Sequence, residues 1–213
     1  LSMRTTWQDS SGKSHRQTAP LSLVVSAFAA VEDVRKTVTP DLKPGTSRLL
    51  LVDLSAGKNR LGGSALAQVY NQVGAAAPDC DDPLLLRALF EAMQELVAAN
   101  LLLACHDRSD GGVAITIAEM AISGGSGVAI DLPQGEVLAT LFAEEPGIVI
   151  QVAETALKQA VTILRKYGLG NLVHDIGTPL PNHSITMAVG GKTAVKTDIS
   201  TVRQAWSALS HRL

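Results

Sequence analysis

The chain has 213 residues, 46% hydrophobic and 18% charged, with a formal net charge of −2. That length and apolar content can bury one sizeable core, as one domain or as a domain with an extension, and they exclude a disordered chain. The charge balance offers no basic surface for nucleic acid, no apolar run approaches the roughly 20 residues that cross a bilayer, and the start has no signal-peptide pattern. A cytoplasmic protein with no nucleic-acid or membrane partner is expected.

Residues 1–20 mix Ser, Thr, Gln and charged side chains without periodicity, and read as an extended polar arm from a preceding subdomain. Met3 is not the first residue, and the chain begins as though cut from something longer. The remainder, 21–213, reads as one α+β domain. Residues 21–29 alternate and are rich in β-branched side chains, which predicts a strand continued over 31–38. Pro44 and Gly45 mark a turn, and the continuous apolar run 49–54 predicts a buried strand ending at Asp53 and Ser55.

Residues 57–64, Gly-Lys-Asn-Arg-Leu-Gly-Gly-Ser, form a glycine-rich loop with two cations ahead of a helical pattern over 65–73. It is not a P-loop, because no Gly-Lys-Ser/Thr follows the paired glycines. An anion or a tight packing contact would suit it equally. Asp82-Pro83 is a helix start, an N-cap followed by proline in the first turn. Leu86, Leu89, Phe90, Met93, Leu96 and Val97 then recur at three- and four-residue spacing, so Phe90 and Met93 are expected in the core.

The stretch 101–112 carries the chemistry. An apolar run leads into five consecutive polar residues, His106 to Asp110, and then into Gly111-Gly112, which open an apolar helix predicted over 113–122. A helix start presents unpaired N–H groups and the positive end of the helix dipole, and glycine permits close approach, so an anion is welcome there. Asp107 and Asp110 would repel a bare phosphate unless a divalent cation such as magnesium lay between. Ser109 supplies a hydroxyl for a phosphate oxygen or a nucleotide group. An ordinary turn in which Ser109 or Asp110 caps the helix reads the same way, and local chemistry leaves both open.

Cysteine adds little. Cys80 lies in an acidic loop and Cys105 precedes His106, a spacing that gives neither a disulfide nor a zinc framework. A Cys105–His106 dyad fails if the run is extended, because strand neighbours point to opposite faces. Aromatic residues are only 3% of the chain, so the core must be built from Leu, Val, Ile and Ala.

Downstream, 124–127 reads as a loop, 128–132 as a strand, 135–145 as a helix and 148–152 as a second buried strand. Ala156, Leu157, Ala160, Val161 and Leu164 mark an amphipathic helix stopped at Gly168. Strands are predicted at 172–176, 184–189 and 194–198, the last two joined as a hairpin by Gly190-Gly191, with a final helix over 201–213. His174 and Asp175 lie within a strand pattern and read as structural. Helices and strands mix without strict βαβ alternation, which predicts an α+β fold, a layered mixed or antiparallel sheet with packed helices.

The string His-Asp-Arg-Ser-Asp-Gly-Gly at 106–112, followed by Ala-Glu-Met-Ala at 118–121 and preceded by Leu-Gly-Gly-Ser-Ala-Leu-Ala-Gln-Val at 61–69, closely resembles one family. That family is phosphoribosylformylglycinamidine synthase, the formylglycinamide ribonucleotide amidotransferase of purine biosynthesis, in its large single-chain form. It lies within the aminoimidazole ribonucleotide synthetase superfamily. Segments 20–23, 31–34 and 203–206 extend the resemblance along almost the whole chain.

The resemblance implies a fold of the aminoimidazole ribonucleotide synthetase C-terminal-domain type. It implies an ATP-dependent ligase that phosphorylates the amide oxygen of formylglycinamide ribonucleotide and replaces it with ammonia from glutamine. This chain would be the C-terminal subdomain of the second of two duplicated halves. Asp107 would match a magnesium ligand and Ser109 a contact of the adenine nucleotide, ATP or ADP, at an auxiliary site rather than the catalytic one. No catalytic residue is assigned to this chain, neither cysteine resembles the glutaminase nucleophile, and the segment alone is expected to be inactive. Its partners would be the remaining subdomains, the glutaminase domain and the nucleotide. Two other readings stand beside it: a structural packing module without a ligand, and a metal-dependent phosphohydrolase using His106 as acid/base with Asp107 or Asp110 as ligand or nucleophile.

Overall fold

The computed structural model describes residues 4–18, 25–31 and 33–208. The chain divides into two compact units, Leu1–Val34 and Arg35–Leu213. In the first, where an extended arm is expected, Arg4–Gln8 (β1) and Ser14–Thr18 (β2) form an antiparallel hairpin. Local polar chemistry closes it: the Asp9 carboxylate accepts from the Ser11 and Lys13 amides and pairs with His15 at 2.7 Å, while Trp7 stacks on the His15 ring. Neither face is buried, which is why no periodicity announces the hairpin. The strand expected at 21–29 falls partly outside the described residues. Residues 25–31 take no regular structure, and its expected continuation holds only a short 3-10 turn, Val34–Lys36.

The second unit is built on a seven-stranded sheet. Its strands are Ser47–Asp53 (β3), Leu102–Asp107 (β4), Gly127–Leu132 (β5), Gly147–Ala153 (β6), Val173–Leu180 (β7), Ser184–Val189 (β8) and Lys192–Asp198 (β9). They lie in the order β4-β6-β3-β7-β5-β8-β9, antiparallel throughout except for the parallel β5–β8 pair. Helices Ala65–Val69 (α1), Pro83–Ala98 (α2), Gly112–Gly124 (α3), Val137–Phe142 (α4), Leu157–Lys166 (α5) and Ile199–Ser207 (α6) complete the unit, so the α+β class read from the sequence is the fold.

Period-two alternation on β3 divides the core. Leu49 and Leu51 join Val113, Ile117 and Met120 of α3 and Ile199 of α6 in one layer; Leu50 and Val52 join Leu89, Ala92 and Leu96 of α2 and Ala160, Ile163 and Leu164 of α5 in the other. β3 and β6 are therefore apolar on both faces. β5 packs one face only, with Val128, Ile130 and Leu132 buried and Asp131 exposed.

The predicted start of α2 is present: Asp82 accepts from the Leu84 amide at 2.9 Å and Pro83 opens the helix. Its buried stripe differs from the expected one. Phe90 is 64% exposed and Leu86 46%, whereas Leu89, Ala92 and Leu96 are buried and Met93 packs partly buried on their layer. The apolar positions on this helix cover too wide an arc to show its centre, and Ala92 lets the backbone approach the sheet. α1 ends at Val69 rather than 73, with Asn71 at a left-handed φ of 52° after it, and α4 is confined to Val137–Phe142 by the Glu136 cap. The last helix runs to Ser207, and 209–213 lie outside the described residues.

Strand direction positions the site. β3 and β4 both run antiparallel to β6, β3 and β5 both antiparallel to β7, so the C-terminal ends of β3, β4 and β5 share one edge. The glycine-rich loop, the residues after Asp107, the 133–136 loop and the Glu144-Glu145-Pro146 approach to β6 converge there.

Candidate functional site

Asp107 is the last residue of β4, and the Arg108 amide donates to the Gly147 carbonyl at 2.9 Å, keeping the loop tied to β6. The chain then turns through Gly111 and Gly112, at φ 81° and 65°; a Cβ on Gly112 would lie 2.7 Å from the Phe142 backbone. Glycine is needed there both for the left-handed turn and for the approach of α4 to α3.

Side chains along this loop divide sharply. Arg108 turns inward, its side chain 2% exposed, and Nη2 meets Asp53 Oδ1 at 2.6 Å and the Pro146 carbonyl at 3.0 Å, while Nε donates to the Glu145 carbonyl. Burial pushes the Asp53 carboxyl up, but the Arg108 charge and the Ser55 hydrogen bonds outweigh it and hold the group below the usual carboxylate range. Ser55 N and Oγ donate to Asp53 Oδ1 and Gly57 N to Oδ2.

Two carboxylates on the approach to β6 hold the loops together. Glu145 is fully buried and accepts from the Arg60 amide at 2.8 Å and from its guanidinium through Nε and Nη2, both at 2.7 Å. Arg60 reaches on to Asp81 at 2.9 Å. Glu144 Oε1 accepts from Ala65 N at 2.7 Å and from Gly111 N at 2.8 Å. A carboxylate of the chain itself thus meets the amides at the starts of α1 and α3, and of the two readings open for the glycine-rich loop the tight packing contact is present, Gly62 lying directly against the Ala76 backbone. The cap expected from Ser109 or Asp110 is absent: Gly111 is the N-cap residue and no side chain caps α3 from within the loop.

Asp107, Ser109 and Asp110 point the other way. The Asp107 side chain is 77% exposed, with Oδ1 3.4 Å from His106 Nδ1, and Ser109 and Asp110 are exposed. His106 Nε2 lies 3.1 Å from Glu119 Oε2. Among the described residues no group of three or more His, Cys, Asp or Glu side chains is placed to hold a metal ion. Cys105 packs in the second core layer; burial, with the Asp107 charge, pushes its thiol up to about 11, so it stays protonated and is no nucleophile.

A cavity of about 480 Å³ opens at the same edge, lined by Asp53, Gly57, Lys58, Arg108, Thr140 and His174 among others, but not by Asp107 or Ser109. His174 thus faces a cavity, while Asp175 pairs with Arg48 at 2.8 Å. Sequence reasoning missed Glu144, Glu145 and Thr140 as parts of this edge and saw Asp53 only as a strand end. The available signal was the pair of acids followed by Pro146-Gly147, set between a short helix and an apolar strand.

The family model described as AIR synthase related protein, C-terminal domain, matches residues 47–190, from the first residue of β3 to the turn after β8. The chain belongs to this family. The AIR synthase related fold recurs in solved structures of PurL from Thermotoga maritima. The complex with ATP superposes with a TM-score of 0.62 at 16% identity, covering 79% of this chain and 27% of that one. The complex with FGAR gives 0.64 at 14% identity, covering 79% and 30%. The hydrogenase maturation protein HypE of E. coli gives 0.52 at 21% identity, covering 76% of this chain and 51% of that one. At these identities the likeness is one of fold, and the chain spans less than a third of the length of the two PurL chains compared.

Proposed function

We propose that this AIR synthase related domain is the C-terminal subdomain of the second half of a phosphoribosylformylglycinamidine synthase, a cytoplasmic ATP-dependent ligase that uses glutamine to aminate formylglycinamide ribonucleotide. In this reading it contributes Asp107 and Ser109 to an auxiliary magnesium-adenine-nucleotide site and is inactive alone. One observation carries it: Arg108 is locked inward, while Asp107 and Ser109 on either side of it are presented to solvent. Strand-end geometry thereby offers a hard oxygen ligand and a hydroxyl at one place on the solvent side of the loop.

A single carboxylate fits magnesium, which takes one or two protein carboxylates with phosphate oxygens and water as its other ligands. The metal would neutralise phosphate charge; Asp107 would orient it and Ser109 would hydrogen-bond the nucleotide. Any further carboxylate would come from an adjoining subdomain. PurL structures described as complexes with ATP and with FGAR share this fold, which supports the reading.

A ligand-free packing module is favoured by Glu144, which already occupies the amides at Ala65 and Gly111. Isothermal titration of MgADP separates the two. Magnesium-dependent binding, weakened about tenfold or more by Asp107→Asn, is expected. Binding indifferent to chelation and to Asp107→Asn would remove the assignment, and no binding would mean that the site forms only when an adjoining subdomain closes over Asp107 and Ser109. Turnover of formylglycinamide ribonucleotide by the purified chain with ATP and ammonia would overturn its inactivity.

A further inference from the structure

His106 is held from both sides at the place where Asp107 leaves the sheet. It precedes Asp107 at the end of β4, and its side chain is 17% exposed beside an Asp107 side chain that is 77% exposed. His106 Nδ1 lies 2.8 Å from the Asp107 carbonyl oxygen and 3.4 Å from Asp107 Oδ1. A carbonyl only accepts, so Nδ1 carries a proton and donates, and the same N–H turns its positive end toward the carboxylate. Across the ring, Nε2 meets Oε2 of Glu119, on α3, at 3.1 Å.

The Thr116 hydroxyl, on the same helix, lies 3.2 Å from the Asp107 carbonyl and 3.1 Å from the Gly112 carbonyl. It has one proton for these two acceptors, so His106 is the donor that Asp107 does not share. Both ring nitrogens are thus spent inside the chain. Neither faces a substrate, as the acid/base role in the phosphohydrolase reading would require, and the arrangement points instead to placement. An exposed carboxylate at a strand end has several rotamers open to it. A metal ligand is effective when groups behind it have already removed that freedom.

From this geometry we propose that His106, braced by Glu119, is the positioning residue for Asp107: it fixes the strand-end peptide and holds the carboxylate in the one orientation that receives magnesium. The inference rests on the assignment of Asp107 to a magnesium-adenine-nucleotide site, and the contribution of His106 and Glu119 is made through Asp107.

The test uses two readouts on the purified chain. Without ligand, three-bond NMR couplings from the backbone nitrogen and carbonyl carbon to Cγ show whether Asp107 keeps one χ1 rotamer. With nucleotide, magnesium titrated at fixed ADP gives the metal affinity. Asparagine at 106 places an amide N–H where Nδ1 stands, whereas glutamine reaches toward Glu119 and gives up that position. One dominant rotamer is expected in the unaltered chain and in His106→Asn, and averaged couplings in His106→Gln; Glu119→Ala, which removes the brace, should lie between. Magnesium affinity is expected to fall about tenfold or more in His106→Gln and to be retained in His106→Asn. An amide spectrum unchanged outside the loop shows that each variant folds. Averaged couplings in the unaltered chain, couplings that His106→Gln leaves alone, or equal losses in His106→Gln and His106→Asn would each overturn the proposal, and the couplings decide it even where the chain alone binds no MgADP. Failure of the nucleotide assignment looks different: MgADP binding indifferent to Asp107→Asn, with the couplings as expected.

Discussion

Arg108 sits between two solvent-facing residues yet is the one whose removal has the largest expected cost. Its charge is what allows Asp53 to remain ionised at the end of a buried strand. Deleting one partner of a buried pair leaves the other uncompensated, so Arg108→Met is expected to destabilise the fold by about 3–5 kcal/mol, read from urea unfolding. The double variant with Asp53→Asn should recover part of that loss, because the orphaned charge is then gone; full additivity of the two changes would show that the pair is not coupled. Asp107→Asn, at the neighbouring residue, should leave stability nearly unchanged because its side chain touches little. Residue type alone ranks these three polar positions alike. Burial ranks them.

At the scale of elements, the Glu144-Glu145-Pro146 approach to β6 works as a clamp on two loops far apart in sequence. Glu144 serves the first amide of α1 and the amide before α3, and Glu145 holds Arg60 in the glycine-rich loop. Hydrogen bonds to a charged group contribute about 1.5–3 kcal/mol, so Glu144→Ala is expected to lose an amount in that range. Amide exchange at Ala65 and Gly111 should rise with it, while exchange in α2 and α5 stays as before. Equal protection at both amides in the variant would mean that water replaces the carboxylate without loss. The existence and type of these elements were legible: Asp82-Pro83 announced α2, and the glycines at 111–112 and 124–125 bracketed α3. The clamp was not, because a hydrogen bond between residues 79 positions apart leaves no local pattern. The inward stripe of α2 was misplaced for a related reason, since which apolar residues are buried depends on the layer they meet.

For the molecule as a whole, pH is the common test. The carboxyls of Asp53, Asp81, Glu95 and Asp198 are all held below their ordinary values, Asp53 against the upward push of its burial and the others by hydrogen bonds from lysine, arginine, tyrosine, serine or threonine. A depressed folded pKa means that the unfolded chain binds protons first on acidification. The stabilisation is therefore complete above the unfolded value near 4 and is lost as pH falls through the folded ones. Urea midpoints should be flat near neutrality and fall below about pH 4, and Asp53→Asn should flatten that fall. A midpoint rising toward acid would contradict the pairing of these carboxylates.

The sequence by itself determined the α+β class, most strand and helix positions, and the loop from His106 to Gly112 as a place of chemistry. It could do so because periodicity, capping and glycine act within a few residues along the chain. Only the tertiary structure decided that Arg108 faces inward while Asp107 and Ser109 face out, that the anion at the helix starts is Glu144, and that Asp53, Lys58 and Thr140 share a cavity. Those outcomes depend on which strand ends meet at one edge of the sheet, and strand order is set by pairing between residues distant in sequence.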